Sequence, residues 1–185
     1  MQNSQSDGPL DFSSDFFEIF SIPVAWDIDL NGLGIRYRAL QQEFHPDRYA
    51  TKLDVEKRLA VQSASLINQA FDTLKSPLKR AQYLLELNSV DASQEAHITT
   101  DTSFLMQQIE FRESLSGISE KQDPWVELDR LKTEIEQTYI KLQSEFQNFF
   151  SENALDLAFN TVAKMQFFSK LLTEIGHIED EMDDA

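Results

Sequence analysis

His45 and Asp47 flank Pro46, and an imidazole and a carboxylate two residues apart are the right chemical types for two tasks. The pair could move protons as an acid and a base, or it could supply two ligands to a metal ion. Pro46 makes the segment rigid by fixing its own backbone angle. A catalytic or metal site needs further members, and the chain offers few. The other histidines, His97 and His177, lie far along the sequence, cysteine is absent, and neither a glycine-rich phosphate loop nor a nucleophile signature is present. No cofactor is implied. An enzyme using His45 and Asp47 stands as a rival reading that lacks a third group.

Two helical patterns must position the tripeptide. The first runs from about Asp29, a suitable N-cap, to Phe44, with Leu30, Leu33, Tyr37, Leu40 and Phe44 spaced by three or four on one buried stripe. Gly32 and Gly34 weaken its first turn. Pro46 stops it, because proline cannot donate an amide hydrogen and it disfavours helical geometry at His45. The second runs from about Asp54 to Lys75 and turns Leu59, Ala60, Ala64, Ile67, Ala70, Phe71 and Leu74 towards a core. Short helices flank this pair, one at Asp15–Phe20 stopped by Ile22-Pro23, the other from Pro77 through Glu86. Residues 89–100 have no sustained period and read as a linker. Three more helices are expected at about 101–116, 124–150 and 152–175, with Leu128, Leu131, Ile135, Tyr139, Leu142, Phe146 and Phe149 marking the middle one's core face. Glycine and proline are sparse, at five each, so the chain reads as all-helical.

Charge narrows the partners. Residues 1–88 carry 9 basic and 12 acidic groups and residues 89–185 carry 7 and 20, so −13 of the total −16 lies in the second part. The sign reverses locally between Arg36 and Arg58, where Arg36, Arg38, Arg48, Lys52, Lys57 and Arg58 outnumber the carboxylates. A nucleic-acid binder needs a broader basic field, so this small patch fits an acidic protein partner better. No stretch is apolar for long enough to span a bilayer, so no membrane role is expected. Met1 to Leu10 lacks the basic start and apolar run of a secretory signal and reads as part of a disordered tail. The lack of cysteine fits a reducing compartment, with the cytoplasm as the default. The acidic residues from Glu179 to Asp184 read as a solvated tail.

The run from Tyr37 to Arg48, YRALQQEFHPDR, resembles the J-domain, the module by which DnaJ-type co-chaperones engage DnaK-type ATPases. In that family the tripeptide sits in the loop between two antiparallel helices, and the helix before it presents a basic face. The resemblance makes Tyr37, Arg38, His45, Pro46, Asp47 and Arg48 the chaperone-binding residues. Asp47 would accept a charge-assisted hydrogen bond from an arginine of the partner, and Arg38 and Arg48 would supply steering and rim contacts.

Three further segments, Phe16–Pro23 (FFEIFSIP), Ile67–Leu85 (INQAFDTLKSPLKRAQYLL) and Asp101–Glu113 (DTSFLMQQIEFRE), are similar to the HscB family, the J-proteins of bacterial iron-sulfur cluster assembly. The resemblance implies an L-shaped, all-α protein with an N-terminal J-domain and a C-terminal three-helix bundle. Its boundaries would be a tail at 1–14, the J-domain at 15–88, the linker at 89–100, the bundle at 101–176 and an acidic tail at 177–185. It also implies a non-enzymatic co-chaperone that binds an IscU-type scaffold, delivers it to an HscA/DnaK-type chaperone, stimulates that chaperone's ATPase and promotes cluster transfer. A J-protein delivering some other client is the alternative.

Helical geometry locates a second face. At about 100° per residue, Phe104, Phe111, Leu115 and Ile118 share one narrow stripe, whereas Leu105, Met106 and Ile109 fall on the other side with Glu110 and Glu113. Apolar residues bordered by carboxylates on a face expected to be wet fit a partner site, and burial against a second neighbouring helix fits the same pattern. In the last helix, Phe167 lies roughly 150° from the centre of the stripe made by Ala158, Val162, Met165, Phe168 and Leu172. The family resemblance makes Leu105, Met106, Ile109, Glu110, Glu113 and Phe167 the scaffold-binding residues. Gly117 and Gln166 stand where the family tends to have an acidic and a basic residue.

Overall fold

Most helix starts in this chain coincide with a side chain able to accept the first free amide protons. In the computed structural model, which describes residues 10–92 and 101–184, α1 (Phe16–Ile19) opens on a reciprocal pair: Glu18 N–H donates to the Asp15 carboxylate at 2.8 Å and Asp15 N–H donates to Glu18 Oε2 at 3.0 Å. Helix α2 (Leu30–Glu43) starts on Asp29, which accepts from Asn31 N–H at 3.0 Å. A Cβ on Gly32 would sit 2.6 Å from Asp29 Oδ2, so the glycine that weakens the first turn also leaves room for its cap. A 3₁₀ turn at Pro46–Tyr49 precedes α3 (Asp54–Lys75) and α4 (Pro77–Leu87). Asp101 and Asp123 cap α5 (Thr102–Ser116) and α6 (Pro124–Ser151), and α7 (Leu155–Asp183) completes the order after a short 3₁₀ turn at Ile118–Glu120. The described residues contain helices, turns and loops without a strand. None of these helices is long and apolar enough to cross a membrane.

Three helix ends use a left-handed residue other than glycine. Ser21, Ser89 and Asn153 have φ of 50°, 64° and 56°. Each lets the next residue's amide reach back five positions, from Ile22 to Phe17, Val90 to Leu85 and Ala154 to Phe149, at 2.8–3.0 Å. This arrangement satisfies carbonyls that a helix end leaves open.

The chain divides into two compact units, Met1–Arg80 and Ala81–Ala185. In the first, α2 and α3 form an antiparallel hairpin with α1 against α3, around Phe17, Phe20, Leu33, Ile67, Ala70 and Leu74, all at most 1 % exposed. Arg80 is nearly buried; it donates to the Leu74 carbonyl at 2.6 Å and lies 4.6 Å over the Trp26 ring. Burying each such aromatic or aliphatic side chain contributes about 1.5–3 kcal/mol, which holds a hairpin that neither helix would sustain alone.

In the second unit α6 and α7 are the main packed pair and α5 lies on them. Phe104 and Phe111 of α5 meet Phe167 and Phe168 of α7 with centroids 5.5–6.3 Å apart. Lys132 of α6 donates to both oxygens of Glu179 at 2.8 and 2.9 Å. That pair fastens the end of α7, which continues to Asp183, past the end expected near Ile175. Residues 177–183, expected within the acidic tail, are therefore helical. The proposed tail over residues 1–9 and linker residues 93–100, including His97, lie outside the described residues, as does Ala185.

Candidate functional site

The tripeptide is held in a short turn whose contacts are mostly its own. Phe44 is buried and ends α2, and His45 then adopts an extended backbone as the cap of the 3₁₀ turn. His45 Nδ1 accepts Asp47 N–H at 3.3 Å, while Arg48 N–H donates to the His45 carbonyl at 3.0 Å. The Asp47 carboxylate lies 3.6 Å from the imidazole and is 91 % exposed. A carboxylate this open is available to a cation on another molecule, whereas a proton-transfer site would enclose it. Among the described residues no three His, Cys, Asp or Glu side chains come close enough to hold a metal ion.

The basic residues around the turn have separate fates. Arg38 is exposed on α2, and Arg48 is exposed with Nη1 3.3 Å from the Gln42 carbonyl. Arg36, which belonged to the expected basic patch, donates instead to the carbonyls of Phe20 and Ser21, so its guanidinium ties α2 to the end of α1. Tyr37, expected at the chaperone surface, is half-buried, stacks on Phe71 at 3.9 Å and donates to Asn68 at 2.9 Å. Asn68 and Gln41 were missed in the sequence because side-chain hydrogen bonding between helices leaves no periodic signature.

The second site is the open side of α5. Phe104, Phe111 and Leu115 are buried at 4–5 % exposure, whereas Leu105, Met106 and Ile109 are 37, 54 and 51 % exposed. Glu110 and Glu113 are exposed on the same side. The helix is oriented from its first residue: Asp101 accepts Phe104 N–H at 3.0 Å, Ser103 Oγ at 2.6 Å and Lys164 Nζ of α7 at 2.8 Å. The Lys164 hydrogen bond, then those of Ser103 and Phe104, hold the Asp101 carboxyl well below the usual carboxylate range. An apolar strip bordered by carboxylates can bind a complementary protein surface that brings apolar groups and cations.

Phe167 does not join that surface as an exposed group. It is 7 % exposed, meets Phe104 and Phe168 edge-on at 5.6 and 5.3 Å, and carries the Arg112 guanidinium 5.9 Å over its ring. Packing of α5 over this side of α7 buries a residue that a single-stripe wheel places outside. Gln166 donates to the Ala92 carbonyl at 3.0 Å, as does Gln82, so the non-basic residue at this position secures the segment after α4. Gly117 is the C-cap of α5, its N–H reaching the Glu113 and Leu115 carbonyls.

Comparison with known proteins gives these surfaces a context. The family model described as the HSCB C-terminal oligomerisation domain matches residues 100–176. Co-chaperone protein HscB of Proteus mirabilis (strain HI4320) is 36% identical over 171 residues, covering 92% of this chain and 99% of that protein. The HscB homolog of Shewanella baltica (strain OS195) is 39% identical over 170 residues, covering 90% and 98%. Chaperone HscB from Vibrio cholerae superposes with a TM-score of 0.82 at 33% identity over 91% of this chain and 99% of that one. Human HscB shares the fold, with a TM-score of 0.85 at 23% identity over 92% and 84%. With nearly the whole length of its bacterial relatives matched at 33% to 39% identity, and with the same helical fold, the chain belongs to the HscB family of co-chaperone proteins.

Proposed function

We propose that this protein is an adapter between an IscU-type iron-sulfur scaffold and an HscA/DnaK-type chaperone. The open side of α5 carries the reading: three apolar side chains stand more than a third exposed beside two exposed carboxylates, on a helix whose opposite side is buried. Such a strip is costly to leave in water and fits a partner that covers it. Leu105, Met106, Ile109, Glu110 and Glu113 form the scaffold contact, with Phe167 supporting it from below. His45, Pro46, Asp47, Arg38 and Arg48 form the chaperone contact, within a J-domain at 15–88 that is followed by a linker at 89–100 and a scaffold-binding bundle at 101–176.

The division of labour follows from the chemistry. Neither surface encloses a proton-transfer pair or a nucleophile, so hydrolysis of ATP belongs to the chaperone. This protein, acting in the cytoplasm, contributes positioning: it holds the scaffold, docks Asp47 on the chaperone, and thereby promotes hydrolysis and transfer of the cluster to recipient proteins. The direct experiment is an ATPase assay of an HscA-type chaperone with this protein, with and without IscU. Stimulation that rises further when IscU is added is the expected result, and a chaperone indifferent to the protein would reject the reading.

A further inference from the structure

Tyr37 belongs to a small polar cluster that spans the hairpin. Its hydroxyl donates to Asn68 Oδ1 of α3 at 2.9 Å, and Gln41 Nε2, one turn further along α2, donates to the same oxygen at 3.0 Å and to the Tyr37 hydroxyl. One acceptor on α3 therefore gathers donors from two successive turns of α2. Beside the cluster, the Tyr37 ring lies nearly parallel to Phe71, with an angle of 11° between them, and Phe71 meets Phe20 edge-on at 6.5 Å. Gln41 sits in the last turn of α2, directly ahead of the buried Phe44 and the exposed turn.

Apolar packing alone leaves the two helices some freedom to slide, because dispersion and hydrophobic contacts have little directionality. Hydrogen bonds fix direction as well as distance. This matters at Asp47, whose carboxylate is 91 % exposed and gains only a 3.6 Å approach from its own turn. Its location follows from the end of α2, and the bonds to Asn68 join α2 to α3 within two turns of that end.

We propose that Tyr37, Gln41 and Asn68 are positioning residues that lock α2 in register with α3 and so set where Asp47 is presented to the chaperone. Tyr37 acts from within the hairpin and does not touch the partner. The inference rests on the chaperone-docking reading of the N-terminal unit. It goes beyond that reading by moving Tyr37 from the contact surface to its support and by adding two residues.

A double-mutant cycle on the full chain tests it, using Tyr37→Phe, Asn68→Ala, their combination and Asn68→Asp. The readouts are the concentration giving half-maximal stimulation of an HscA-type ATPase, the maximal stimulation, and amide exchange at Arg48 and Ala50, whose N–H groups close the turn onto His45 and Asp47. Each of the first two single changes should raise the half-maximal concentration roughly three- to tenfold, the scale of one lost hydrogen bond, with the maximum unchanged. The combination should cost clearly less than the sum of the two, because both remove the Tyr37–Asn68 bond. Asn68→Asp keeps an acceptor oxygen and should behave as wild type, which a general loss of folding would not reproduce.

Additive losses would mean that the Tyr37 hydroxyl contacts the partner directly, and would overturn the proposal. So would Asn68→Asp failing as badly as Asn68→Ala, or a cycle with no losses. Exchange separates this test from its parent. If the wild-type protein fails to stimulate any chaperone, the docking reading falls, yet faster exchange at Arg48 and Ala50 in Asn68→Ala would still show that the cluster holds the turn. Exchange unaltered by Asn68→Ala overturns the positioning role by itself.

Discussion

Asp47 and Asp101 show how the same side chain serves opposite ends through its surroundings. Asp47 is left open, with one weak approach from His45, so its charge is available for an outside cation. Asp47→Asn keeps the shape and removes the charge; it should abolish stimulation of the chaperone ATPase while leaving the thermal midpoint and capture of IscU unchanged. Stimulation by the asparagine variant at the wild-type level would remove the aspartate from the docking contact. Asp101 is instead consumed by the fold, accepting from Lys164, Ser103 and Phe104. Because these bonds depress its pKa in the folded state, its contribution to stability is fully present above the ordinary carboxylate pKa of about 3.9 and is lost as pH falls below it. Thermal melts should show Asp101→Asn below wild type by a constant margin from neutral pH to about pH 5, with the gap narrowing below about pH 4. A gap that persists unchanged into strong acid would show that the carboxylate's ionisation is not what stabilises the α5 start.

At the scale of elements, a single apolar stripe was enough to read helices that face one neighbour. The α5 wheel separated Phe104, Phe111, Leu115 and Ile118 from Leu105, Met106 and Ile109 correctly, because α5 is covered on one side only. It failed on α7, where Thr161, Ala163, Phe167 and Leu171 are buried as well as the expected stripe and Leu172 is only half-buried. A helix enclosed from several directions has no one core face for periodicity to report. Arg36 shows the same limit for charge: its type fits a basic patch, and only the fold turns it onto two backbone carbonyls. The distinction has a measurable consequence. Phe167→Ala should lower stability by about 3–5 kcal/mol, as for other buried aromatics, and disturb scaffold capture only through that loss. Leu105→Ala with Met106→Ala should change stability by less than about 1 kcal/mol, as exposed substitutions do, and still lose scaffold capture. Urea melts alongside pull-downs of IscU separate the two outcomes, and capture that survives the double substitution would move the docking face off α5.

For the whole molecule, the proposed adapter role places its two contacts on two different units. The division falls between Arg80 and Ala81, inside α4, so the Asp47 turn and the open side of α5 reside on different compact bodies of one continuous chain. The charge is divided in the same sense: residues 1–80 carry 9 basic and 11 acidic groups and residues 81–185 carry 7 and 21, so −14 of the −16 lies in the second unit. Neither surface needs the other to form, since the contacts that shape Asp47 lie within the first unit and those that orient α5 lie within the second. Under the proposed adapter role, the connection would supply effective concentration: a scaffold held by one unit would be brought to the chaperone at a local level set by chain length rather than by bulk concentration. This predicts that Asp47→Asn and the Leu105→Ala, Met106→Ala double variant fail to rescue each other when mixed. Each mixture contains one intact copy of both surfaces, but on separate chains. The extra ATPase stimulation that IscU brings to the wild-type protein should therefore stay absent from the mixture at every ratio tested, while the double variant alone retains the stimulation seen without IscU. Full recovery on mixing would show that the two surfaces act independently, and delivery by a single chain would then not be the mechanism.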